Sequence, residues 1–265
     1  MKLVDKTTES GKIVKLNDYK KRARRNRIKR KMLLFFLIFV VLLTILLYAP
    51  FMKIKTINCI GNEKISAEEI IASSNICKGN NIFRINKNKA QKNIKNISYI
   101  KSVSIDRKLL NSININVEEC VTRAYILNGK EYVYIDETGK ILEISTTPPE
   151  TPASIVNGVK LNNKNLNEIC EFKNKKQLEC LTELLSMISN SRFNGLTTSI
   201  DVTDVNHIKF VVNDNLDIII GNTDNLDYKI NFMASGAYDN LGANRGGILD
   251  VSYGSSAIFK EKNDF

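Results

Sequence analysis

From Met32 to Met52 the chain reads MLLFFLIFVVLLTILLYAPFM, with no charged residue. About 20 helical residues cover roughly 30 Å, the thickness of a bilayer's hydrocarbon core. A buried core helix of that length would carry a polar stripe. Here the only polar groups are Thr44 and the Tyr48 hydroxyl. A cleaved signal peptide has a shorter apolar run and small residues before the cut, whereas Ala49 is followed by Pro50. The stretch therefore predicts one uncleaved transmembrane helix over residues 32–52, with Tyr48 and Phe51 at the far interface, where aromatic rings prefer to sit.

Charge sets the topology. Residues 1–31 hold 13 Lys/Arg against 3 Asp/Glu, so nearly all of the chain's +11 lies before the apolar run. Positive flanks stay cytoplasmic. Residues 1–31 are thus expected inside and residues 53–265 outside, a single-pass type II arrangement in the cell membrane. The run Lys20-Lys21-Arg22-Ala23-Arg24-Arg25-Asn26-Arg27 has the charge to bind nucleic acid. No aromatic residues interleave there to stack on bases, and its place beside the apolar span favours topogenesis and anionic lipid contact. No nucleic-acid partner is expected.

The external part begins with β periodicity. Residues 53–60 alternate Ile57 and Cys59 against Thr56 and Asn58. After Gly61-Asn62, Ser66 and Glu69 form a capping box, with Ile65 and Ile70 as its hydrophobic staple. A helix from Ala67 to about Ser73 is predicted. Asn86 is an N-cap for a second helix through Asn96, whose apolar face is Ala90, Ile94 and Ile97. Strands follow at 101–105 and 112–118, so the order is β-α-α-β-β. Farther on, 132–136 and 141–144 read as a hairpin, and the proline-rich stretch 146–152 as a loop. Residues 175–189 carry an apolar stripe, Leu178, Leu181, Leu184, Leu185 and Ile188, at helical spacing. Three short apolar runs at 199–202, 208–212 and 216–220, a helix over 224–238 and a last strand at 248–253 complete the reading. The fold class is α+β. The expected divisions are a basic tail 1–31, a transmembrane helix 32–52, a first domain 53–121, a mixed β domain with two helices 122–260 and a tail 261–265.

The ordered set of motifs resembles a known family. Ile57-x-Cys59-x-Gly61-Asn62, Ser66-x-Glu68-Glu69-Ile70 and Gly79-Asn80-Asn81-Ile82-Phe83 are similar to a POTRA domain. So are Tyr99-Ile100-Lys101-x-Val103 and Ile113-x-Ile115-x-Val117-x-Glu119. With Tyr134-Ile135-Asp136-x-x-Gly139-x-Ile141-Leu142 added, the chain over roughly 30–260 resembles the FtsQ/DivIB cell-division family. Leu110 and Thr122 stand where that family commonly has proline, and Ser252 where an arginine often closes the final strand. The resemblance implies a non-catalytic scaffold enriched at the division septum. It would link FtsL-like and DivIC/FtsB-like bitopic proteins and act indirectly on the septal peptidoglycan synthase complex.

Catalytic chemistry is sparse. With His207 as the single histidine, a histidine-based triad and a multi-histidine metal site are excluded by count. Glu118, Glu119, Asp214 and Asp217 fall on turns and solvated strand faces. No phosphate-binding glycine loop is present. No catalytic residue, cofactor or metal is expected. The five cysteines form no CxxC, and a Cys170–Cys180 bridge stays open because spacing does not give geometry. A second reading is a membrane-anchored enzyme or sensor acting on the cell wall, which a polar pocket around His207 would favour. The candidate binding element is the final strand, Ile248, Leu249, Asp250, Val251, Ser252 and Tyr253. Leu249, Val251 and Tyr253 form its apolar face. As the last strand it is expected at the sheet edge, a template for a partner strand unless covered or merely solvated. The resemblance implies that this strand carries the DivIC/FtsB contact.

Overall fold

The computed structural model describes residues 16–48, 52–108, 111–149, 152–241, 246–254 and 256–261. It divides into two compact units. One holds residues up to 57 with 77–85 and 107–113; the other holds 58–76, 86–106 and 114 onwards.

In the first unit, helix α1 (Leu16–Tyr48) runs unbroken from the basic segment into the apolar run. Its side chains from Arg24 to Ile45 are all exposed, the large apolar ones included. Among the described residues no helix is long and apolar enough to cross a membrane. The span expected over 32–52 continues past Tyr48 into residues 49–51, which lie outside the described residues. Beyond it, Met52 and Ile54 are buried together with Ile82. The Gly79–Ile82 loop doubles back onto them: Ile54 N donates to Asn80 O, and Ile82 N to Met52 O, both at 2.9 Å.

Most of the β-α-α-β-β module lies in the second unit. β1 (Thr56–Ile60), α2 (Ala67–Ser74), α3 (Lys87–Ile94), β2 (Ile100–Lys108) and β3 (Ser112–Glu119) follow in chain order, with β3 central in the sheet β1-β3-β2. Both helix starts are where the capping residues put them. Ser66 Oγ accepts from Glu69 N at 3.2 Å, and Asn86 Oδ1 from Lys89 N at 3.0 Å. The helices are tied together where Ser73 Oγ donates to Asn93 O. Ile70, Ala90 and Ile94 bury one helical face, as Ile105, Ile115 and Val117 bury one strand face. Gly61, at φ +88°, is required twice over: its φ is left-handed, and a Cβ there would strike the Val117 carbonyl.

The rest of the unit is one nine-stranded sheet. Its elements are β4 (Ala124–Asn128), β5 (Glu131–Ile135), β6 (Ile141–Ser145), β7 (Ser154–Asn157), α4 (Lys175–Ser189), β8 (Thr197–Asp201), β9 (Ile208–Val212), β10 (Leu216–Gly221), α5 (Leu226–Phe232), α6 (Tyr238–Leu241), β11 (Gly247–Asp250) and β12 (Ile258–Glu261). The strand order is β12-β11-β10-β9-β8-β7-β4-β5-β6. Parallel neighbours need a long connection. Accordingly α4 bridges the parallel pair β7/β8, and α5 with α6 bridges β10/β11. Leu181, Leu184, Leu185 and Ile188 of α4 and Leu226 and Ile230 of α5 share one core with Ile126, Val133, Ile200, Phe210, Ile218 and Leu249. Tyr125, Tyr132, Val211 and Ile219 on the opposite face are only half-buried, as in an antiparallel sheet wetted on one side.

The single helix expected over 224–238 is in fact broken. A π-helical turn, Met233–Ala237, separates α5 from α6. Arg192 supports the bulge: Nη1 donates to Ala234 O at 3.1 Å and meets Asp239 Oδ1 at 2.7 Å, with the guanidinium over the Tyr238 ring. A widened turn leaves carbonyls poorly used by the helix itself, and Arg192 takes one of them.

Candidate partner-binding edge and the junction cleft

The strand expected at the sheet edge is not at the edge. β11 pairs in parallel with β10 on one side and antiparallel with β12 on the other, Leu249 facing Phe259 and Asp250 facing Ile258. It is also shorter than the stretch 248–253. Asp250 Oδ1 accepts from Ser252 N at 2.9 Å, and Gly254 N donates to Val251 O, so the chain turns there. Leu249 and Val251 are core residues, Ile248, Asp250 and Ser252 are half-buried, and Tyr253 is 74% exposed. Tyr253 therefore does not share the apolar face assigned to it. Ser252 packs where a Cβ on Gly221, itself at φ +76°, would come within 2.9 Å of the serine Cβ.

Among the described residues β12 is one of the two edge strands of the large sheet, β6 at the far end being the other. The sequence reading missed β12. Its signal is a short alternation after the Gly254 turn: Ala257 and Phe259 pack against the core, while Ile258 and Lys260 face outward. Gly247 makes the pairing possible, since a Cβ there would run into Lys260 O and the Phe259 ring. Nearby, Tyr228 and Tyr253 stand exposed around a concavity of about 610 Å³ with Asp224, Asp227 and Lys229. The Lys229 ammonium is committed inside: it donates to Ile220 O, Asn222 O and Asn222 Oδ1 at 2.9–3.2 Å. Burial lowers its pKa, opposed by the charge of Asp224.

The second concavity lies beside the junction of the two sheets and measures about 940 Å³. Lys64, Tyr99 and Glu143 form a closed ring on its wall. Lys64 Nζ donates to Glu143 Oε2 at 3.0 Å and to the Tyr99 hydroxyl, and that hydroxyl donates to the same Oε2 at 2.6 Å. The hydrogen bond from Tyr99 holds the Glu143 carboxyl below its ordinary range; burial opposes this and Lys64 assists it. Burial alone would lower Lys64, but its bonds to Tyr99 and Glu143 outweigh that and raise it. The Tyr99 phenol is raised by burial and by its bond to Glu143. These residues were not singled out as a site in the sequence, because Glu143 lies 79 positions from Lys64.

His207 is exposed, and its backbone N–H donates to Asp204 O at 2.9 Å. Glu118, Asp214 and Asp217 are exposed and Glu119 is half-buried. Glu119 spends its two oxygens on the backbone N–H groups of Lys64 and Ile65. No group of His, Cys, Asp or Glu among the described residues could hold a metal ion. All five cysteines are free thiols, so Cys170 and Cys180 are not bridged. Burial pushes the Cys120 thiol up to about 11 and Cys170 up to about 12, well away from reactive thiolate.

Comparison with known proteins gives these features a family. A model of the FtsQ-type POTRA domain matches residues 52–119. The chain is 34% identical over 221 residues to the cell division protein DivIB of Clostridium acetobutylicum, covering 83% of this chain and 87% of that protein. It is 28% identical over 252 residues to DivIB of Clostridium botulinum, covering 94% and 98% respectively. To DivIB of Bacillus subtilis it is 30% identical over 201 residues, covering 73% and 71%. A shared identity of that depth over most of both chains, with the POTRA match at the β-α-α-β-β module, means that the chain belongs to the FtsQ/DivIB family of cell-division proteins.

Proposed function

We propose that this protein is a non-catalytic scaffold of the division machinery. It is anchored by residues 32–52, with 1–31 inside the cell and 53–265 outside, and it is enriched at the septum. It joins FtsL-like and DivIC/FtsB-like bitopic proteins and through them influences septal peptidoglycan synthesis. The observation that carries the division role is the 34% identity to a DivIB protein over 83% of the chain. The anchor rests on the uncharged run beside the strongly basic tail. The scaffold reading, rather than a wall enzyme, is supported by an exposed His207 held in a turn.

The partner contact is proposed at the C-terminal end of the large sheet. β12 replaces β11 as the strand that offers an outward edge. Tyr253 and Ile258, 74% and 49% exposed, flank that edge. The test is depletion of the protein in growing cells. Long aseptate filaments, reversed by wild-type chain and by His207→Asn alike, are the expected result. Normal septation on depletion would overturn the division role, and failure of His207→Asn at normal protein level would favour the enzyme.

A further inference from the structure

We propose that Lys64, Tyr99 and Glu143 form a releasable latch. It clamps the turn before α2 and the start of β2 onto the β5–β6 hairpin, with residues Cys120–Arg123 as the hinge. The ring of three hydrogen bonds closes on one carboxylate oxygen, Glu143 Oε2. Its two charged members remain half in water, their side chains 52% and 43% exposed. Such a pair is screened by salt and individually weak, so the clamp holds without being permanent.

The contact beneath the ring is thin. Tyr99, Cys120 and Leu142, with Ile65 against them, make a small apolar cluster separate from the main core. Around it run polar tethers. Cys120 N donates to Tyr99 O at 2.7 Å, Lys140 Nζ to Ile100 O at 3.1 Å, and Lys101 meets Glu137 at 3.3 Å. None of these is an apolar surface large enough to fix the junction alone.

Two observations mark 120–123 as the place that gives. The segment joins β3 to β4 without regular structure, and Val121 within it is 54% exposed. Arg123 Nε is buried without a hydrogen-bond partner: it is ion-paired with Glu137 Oε2 at 3.8 Å, beyond hydrogen-bond reach, while Nη1 donates to Asn194 Oδ1 at 2.9 Å. An unsatisfied buried donor disfavours the closed arrangement, and opening would return it to water. The adjoining cleft of about 940 Å³ leaves space for the movement.

Hydrogen exchange on the full chain in detergent micelles, read by mass spectrometry, tests this. Tyr99→Phe and Glu143→Gln each are expected to speed exchange at residues 120–123 by about tenfold, the signature of local opening. Amides of β9 and β10 keep wild-type rates. Wild-type protein moved to about 1 M salt is expected to show the same local change, because screening is then nearly complete. Unchanged exchange at 120–123 in both variants overturns the latch. So does acceleration of every strand together, which would make the ring ordinary support for the fold.

Discussion

Glu143 gives the junction a pH dependence whose sign is fixed. Its folded pKa lies below its ordinary value of 4.5. The stabilisation it brings is therefore complete above about pH 4.5 and is lost as pH falls through the depressed folded value. Thermal melts of wild type and Glu143→Gln are expected to differ at pH 7 and to converge as the medium is acidified below that range. A difference that persists unchanged at pH 2 would contradict the assignment. Ser66 offers a cleaner residue-scale test, since its Oγ accepts from the Glu69 N–H at the start of α2. Ser66→Ala is expected to cost about 1 kcal/mol, the usual loss for an N-cap, read from a denaturant or thermal midpoint.

Among the elements, capped helices and strands with a clear alternation or apolar run were legible in the sequence, and weakly patterned segments were not. The α4 bounds follow from the Leu178–Ile188 stripe, and α2 and α3 from Ser66 and Asn86, because a helix's signals lie within one turn of its ends. β4 and β7 carry little pattern of their own. β4 is held by β5 on one side and β7 on the other, Ala124 facing Ile135 and Ser154, and β7 by β4 and β8. The break at Met233–Ala237 is marked only by the Ser235-Gly236 pair, and its support, Arg192, comes from 42 residues away. The terminal strand was misplaced for a related reason. Being last among the strong apolar runs, 248–253 looked like an edge, while the weakly patterned Ile258–Glu261 covers it. Proline separates the two strands' roles. In β11 both neighbours use the ladder, so proline at Leu249 is expected to unfold the end of the sheet. In β12 the N–H groups alternate sides. Proline at one parity among 258–261 is expected to leave circular dichroism intact and abolish capture of a DivIC-like partner's external segment. If no β12 variant keeps its fold while losing capture, strand addition at this edge is the wrong mechanism.

At the scale of the whole molecule, the proposed topology has a direct measurement. Protease added to intact, wall-stripped cells is expected to degrade everything beyond residue 52 and spare the basic tail. A full-length chain that survives while a known external control is digested would contradict the arrangement. The covering of β11 by β12 has a consequence for how the chain can be shortened. A chain ending at Ala257 keeps the β11 residues and loses the strand that shields them, leaving Leu249 and Gly247 without Phe259. A bare, apolar strand of that kind pairs with its like across two molecules. Trimming by only a few residues is therefore expected to turn a monodisperse species on size-exclusion chromatography into a concentration-dependent dimer. β12 is a stopper as much as a contact, and its removal would bare an apolar strand that the intact sheet keeps covered.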